Sequence, residues 1–107
     1  MFSSKISATA RQLGIDLGFA RSPGEVLREA RAKKPTLVIF DLNSKKLDPV
    51  GTIAAMKADA ELRSISILGF VSHVDRDVIE SARAAGIDEV LARSAFTERL
   101  AEILTTG

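Results

Sequence analysis

Apolar residues in this chain come in short runs separated by amphipathic stretches, and the two kinds alternate from end to end. The clearest strand is Thr36 to Asp41, TLVIFD, four apolar residues closed by a carboxylate. A continuous rather than alternating run is what a strand covered on both faces requires. Ile65 to Val71, ISILGFV, reads the same way and is polar only at Ser66. Asp88 to Ala92, DEVLA, is a further strand, and Ile15 to Ala20, IDLGFA, a short one near the start. Between these runs the apolar spacing turns helical. Ser4 to Leu13 puts Ile6, Ala10 and Leu13 on one face, with Gly14 as the stop. Ser22-Pro-Gly-Glu25 is a capping box with Pro at the first helical position. In the helix it opens, Val26, Leu27 and Ala30 point inward. Lys33 and Lys34 lie at its end, where the dipole favours cations, and Pro35 terminates it.

After a loop from Asn43 to Pro49, the residues Val50, Ile53, Ala54 and Met56 supply the apolar side of another helix. Asp75 and Asp77 both suit the start of the next one, Asp77 having Glu80 three residues on. Val78, Ile79 and Ala82 face inward there, and Gly86 closes the helix. Ser94 is placed to cap a final helix that buries Phe96, Leu100, Ile103 and Leu104. The predicted order is αβαβαβαβα, which implies a parallel sheet with helices on its faces and right-handed crossovers. In such sheets reactive groups gather outside the carboxyl ends of the strands. Asp41, Ser72, His73, Arg93 and Ser94 all fall at such ends.

Composition narrows the chemistry. With 107 residues the expectation is a single domain, 1–107. There is no cysteine, hence no disulfide, thiolate metal site or thiol nucleophile, and one histidine excludes a multi-histidine site within the chain. A formal charge of +1, with both signs mixed along the chain, argues against a nucleic-acid surface. Five Phe without Trp or Tyr leave few stacking platforms. No apolar run approaches the roughly 20 residues of a membrane span, and MFSSKISATA lacks the apolar core of a signal peptide. A cytoplasmic location and no membrane partner are therefore expected.

The segments TLVIFDLN, SILGFVSHVD, ARAAGIDEVLAR and FTERLAEIL together make the chain resemble the receiver domain of bacterial two-component response regulators over nearly its whole length. The resemblance implies a flavodoxin-like, three-layer α/β/α fold with strand order 2-1-3-4-5. It also implies that Asp41 stands at the phosphoacceptor position, with Asn43, Val71 or Ser72, Arg93 and Ser94 on the site rim. Four departures accompany it. The first family strand and its Mg²⁺-holding acidic pair are missing, since the chain starts within the family's first helix. The Thr or Ser after the fourth strand falls on Val71 or, with a slip of one, on Ser72. Arg93-Ser94 replaces Lys-Pro, and Ser44-Lys45-Lys46 replaces the usual Met-Pro.

These departures have physical consequences. A carboxylate and a phosphoryl donor repel unless a metal offsets the charge, and Asp41 with the Asn43 carbonyl would hold Mg²⁺ weakly. Arg93 offers a planar fork suited to pairing with Asp41. The expectation is a degenerate receiver without a cofactor, not an enzyme, acting through contact with another signalling protein, a kinase or an output protein. With no output domain after Gly107, any effect is expected to pass through that partner. Mg²⁺ enters only if an acidic pair is encoded upstream of Met1. Thr36 to Asp41 either pairs directly with Ile15 to Ala20 or keeps a bare apolar edge that invites another chain, a homodimer included. Two alternatives stand beside this reading: phosphorylation at Asp41 with Mg²⁺, and an unrelated small α/β enzyme or ligand-binding domain. Bland readings hold for Lys45 and Lys46 as a solvated loop, for His73 as an exposed loop residue and for Gly86 as a helix cap. No Gly-x-Ser-x-Gly elbow supports a hydrolase built on Ser72 or Ser94.

Overall fold

The computed structural model describes residues 2–15, 17–44, 48–73 and 75–106. Two helices come first, α1 (Phe2–Leu13) and α2 (Pro23–Lys33), followed by β1 (Leu37–Asp41), α3 (Pro49–Ala58), β2 (Ser66–Val71), α4 (Arg76–Ala85), β3 (Glu89–Ala92), α5 (Arg93–Glu98) and α6 (Leu100–Thr106). The three strands form one parallel sheet in the order β1-β2-β3.

Side-chain alternation along the strands divides the core in two. Val38 and Phe40 of β1, Ile67 and Val71 of β2 and Val90 of β3 join Val26, Ala30, Ile53, Met56 and Ala82 of α2, α3 and α4. Leu37 and Ile39, Leu68 and Phe70, and Leu91 join Ile6, Phe96, Leu100 and Ile103 of α1, α5 and α6. The rings of Phe70 and Phe96 stack with centroids 4.9 Å apart. The apolar runs of the sequence are thus continuous because each strand is covered on both faces, and the fold is the flavodoxin-like α/β/α arrangement.

Local signals explain the helix ends. The Ser22 hydroxyl accepts from Glu25 N, while Glu25 reaches back to Arg21 N. Of the two candidate caps for α4, Asp75 is the one used, accepting from Val78 N. Gly14 and Gly86 have φ of 70° and 104°, and Ile15 and Ile87 donate back to Ala10 and Ala82, as in a Schellman ending. Asp48, which the pattern left inside a loop, caps α3 ahead of Pro49. The Asp-Pro pair was the available signal.

Several expectations change. Residues 15 and 17–20 form no strand, and Asp16 lies outside the described residues. A strand exists only through bonds to a neighbour, and no described strand stands on that side of β1. Leu17 and Ala20 still pack against the two opposite clusters, so the segment keeps a strand's alternation without its ladder. Phe19 stays 53% exposed. β1 therefore keeps a bare edge. Leu13 is also exposed, beyond the buried face that Ile6 and Ala10 begin. On α3 the buried face runs through Thr52, Ile53 and Met56 instead of Val50 and Ala54. Thr52 is tolerated there because its hydroxyl donates to the Asp48 carbonyl. The final helix is two helices meeting at Arg99, and Ser94 lies inside α5. Its cap position is Ala92, with no side-chain bond, because β3 runs straight into the helix.

Gly69 sits where Leu42 and Ile87, both on the α2–α4 side, close over β2. A Cβ there would lie 2.7 Å from Leu42 and 2.8 Å from Ile87. Gly69→Ala is expected to lower stability by about 1–3 kcal/mol through overpacking, read from the urea midpoint; an unchanged midpoint would contradict this packing. The bare edge has its own signature. Leu42 N donates to Phe70 O and Ser66 N to Thr36 O, so even-numbered residues of β1 face β2 and odd ones face outward. The amides of Leu37 and Ile39 should exchange with solvent about tenfold faster than those of Val38 and Phe40. Equal protection of all four would mean that another strand pairs there.

Candidate functional site

The carboxyl ends of the three strands lie side by side because the register pairs Asp41 with Phe70 and Val71 with Ala92. Asp41 ends β1 between Phe40 and Leu42, both buried on the α2–α4 side. Those two anchors turn the half-buried Asp41 toward the other face of the sheet, at its rim. The Leu42 N–H makes the last rung of the β1–β2 ladder to Phe70 O at 3.0 Å. The chain then turns: Asn43 N donates to Asp41 Oδ1 at 3.0 Å and Ser44 N to Asp41 O at 3.1 Å. Asn43 Oδ1 in turn accepts from Ser72 N at 2.7 Å, tying the loop after β1 to the loop after β2.

The other sequence candidates separate. Val71 is buried in the α2–α4 cluster and presents only an apolar side chain, whereas Ser72 and His73 are exposed. Arg93 opens α5 directly after β3, and Ser94 follows it, both exposed on the same rim. Lys45 and Lys46 lie outside the described residues. The side chain of Asn43 was not singled out for its link to Ser72. The available signal was an Asn two residues after a strand-terminal Asp, a type that readily bonds loop backbone.

No family model matches the chain, and no curated protein matches it. Solved structures do. The chemotaxis response regulator CheY4 of Vibrio cholerae superposes with a TM-score of 0.78 at 19% identity, over 95% of this chain and 85% of that one. A two-component response regulator from Legionella pneumophila gives 0.78 at 15% identity, over 99% and 90%. A response regulator from Burkholderia pseudomallei, solved with a phosphorylated aspartic acid, a calcium ion and citrate, gives 0.78 at 22% identity, over 98% of this chain and 61% of that one. The chain has the receiver fold. At these identities the likeness is one of fold. The order β1-β2-β3 reproduces the 3-4-5 side of the 2-1-3-4-5 sheet.

A receiver fold carries the expectation of a divalent cation beside its strand-terminal aspartate. Such cations take several hard oxygen ligands, carboxylates foremost. Among the described residues no three Asp, Glu or His side chains converge on a common point. Asp41 without such a group offers fewer hard oxygen ligands than that ion takes.

Two carboxylates with lowered pKa, Asp88 and Asp59, hold structural contacts. Asp88, at the opposite end of the strands, is pushed up by burial. The Ile67 N–H at 2.7 Å and the Lys57 ammonium at 3.0 Å outweigh that, and its pKa is lowered overall. Lys57 also donates to the carbonyls of Arg63 and Ile65. Asp59 is lowered by the guanidinium of Arg31 at 2.6 Å and by the Glu61 N–H. A depressed carboxylate stabilises the fold above its unfolded pKa, about 3.9 for Asp, and that contribution is lost as pH falls through the lower folded value. Asp88→Ala is therefore expected to cost about 1 kcal/mol at neutral pH, solvent screening the half-exposed pair, and progressively less as the medium is acidified below the unfolded value. Urea unfolding at neutral pH and in acid checks this; an equal cost at both would refute it.

Proposed function

We propose that this chain is a receiver-fold signalling module that works by contact with another signalling protein, a kinase or an output protein, without taking phosphate on Asp41. What carries this reading is a strand-terminal aspartate in a receiver fold with no group of three or more metal-ligating side chains among the described residues. Without a cation, the like charges of carboxylate and phosphoryl donor remain opposed. Arg93, one residue beyond β3 on the same rim, has the planar fork that suits a carboxylate. The contact surface is the helix-strand-helix face of α4, β3 and α5, whose outer residues are largely exposed and of mixed charge. Nothing in this role requires turnover, and no nucleic acid or lipid takes part in it.

The second reading, phosphorylation at Asp41, is favoured by one observation: the Burkholderia pseudomallei protein of the same fold carries a phosphorylated aspartic acid together with a calcium ion. The two readings part on a direct test. The purified chain is incubated with acetyl phosphate, or with beryllofluoride, and Mg²⁺, and its intact mass and amide spectrum are recorded. No mass increase and no shift around Asp41 are expected. A modification that Asp41→Asn abolishes would overturn the first reading in favour of the second.

A further inference from the structure

We propose that Asn43 is a latch on the rim: its side-chain oxygen occupies the Ser72 N–H and withholds that donor from any oxyanion beside Asp41. Ladder parity gives the reason. Even-numbered residues of β2 direct their N–H groups toward β1, as Ser66 does to Thr36 O. Ser72 continues that parity one step beyond the strand, where the next backbone rung would be the Leu42 carbonyl. The chain has already turned at Leu42 and Asn43, so the Ser72 N–H emerges at the rim as an exposed donor. A backbone N–H can only donate, so the atom facing it at 2.7 Å is the amide oxygen of Asn43. Asn43 meanwhile spends its own N–H on Asp41 Oδ1 at 3.0 Å.

Two backbone donors next to a carboxylate are thus both satisfied by oxygens the protein itself supplies. An incoming phosphate-like anion would have to displace the Asn43 amide before it could use the Ser72 N–H. The same bond holds the β2 loop against the β1 loop, so Asn43 is a positioning residue for these two loops. This inference rests on the rim of Asp41 being the working end of the receiver fold. Its test needs no phosphoryl donor, so its failure is distinguishable from a failure of the labelling experiment.

The test is amide exchange and inorganic phosphate titration on the full ¹⁵N-labelled chain. In the wild type, the Ser72 amide should exchange about tenfold more slowly than the neighbouring exposed His73 amide, with no shift on adding phosphate. In Asn43→Ala, the protection of Ser72 should be lost, and phosphate should shift the Ser72 and residue-43 amides. Asn43→Asp, which keeps an acceptor oxygen, should restore the protection and remain silent to phosphate. Unprotected Ser72 in the wild type would overturn the proposal even if no variant folds. Unchanged exchange in Asn43→Ala, or an equal phosphate shift in the wild type, would overturn it as well.

Discussion

Strand β2 is the element on which the rest depends, because it alone among the described strands is paired on both edges and covered on both faces. Its odd residues feed one core and its even residues the other, so a one-residue slip would exchange the two sets of neighbours. Gly69 lets Leu42 and Ile87 close over the strand, and the Phe70–Phe96 stack fastens α5 to the opposite face. The close approach at Gly69 also reaches the rim. It seats Leu42, and Leu42 together with Phe40 determines which way Asp41 points.

The two ends of the sheet are held by different forces. At the amino end, Asp88 joins Lys57 and the Ile67 N–H, and these contacts clamp α3 and the loop before β3 to the central strand. At the carboxyl end no ion pair is needed to describe the link between the first two loops. Backbone-to-side-chain bonds through Asn43 join Asp41 to Ser72. The lowered pKa of Asp88 belongs to the clamp, where Lys57 and the Ile67 N–H hold its charge. That division fits a domain whose rim holds one arrangement and offers its outer surface to a partner.

The bare edge of β1 follows from the same ladder logic. An outer strand of a parallel sheet is ordinarily protected by shortness, charge or a covering element. Here Leu37 and Ile39 are only partly buried, and residues 17–20 lie against both cores without supplying bonds. That edge thus has side-chain burial but no described backbone ladder.

Much of the architecture was legible from the chain alone. The continuous apolar runs gave away β1 and β2, because strands covered on both faces can be apolar throughout, and the shorter DEVLA gave β3. The capping box at Ser22 and the positive-φ glycines at 14 and 86 located helix ends through local backbone chemistry. Asp41 could be placed at a strand's carboxyl end for the same reason. Other features required the folded neighbours. Residues 15 and 17–20 have strand composition but no described strand beside them, and a ladder is never local. The burial of Val71 and the exposure of Ser72 depend on which face of β2 meets α2–α4. The bond from Ser72 to Asn43 joins residues 29 positions apart. Periodicity and capping are written into adjacent residues, and so the sequence by itself determined the three strands, most helix ends and the position of the aspartate. Pairing, register and the closing of one loop on another are contacts between distant segments, and only the tertiary structure decided them.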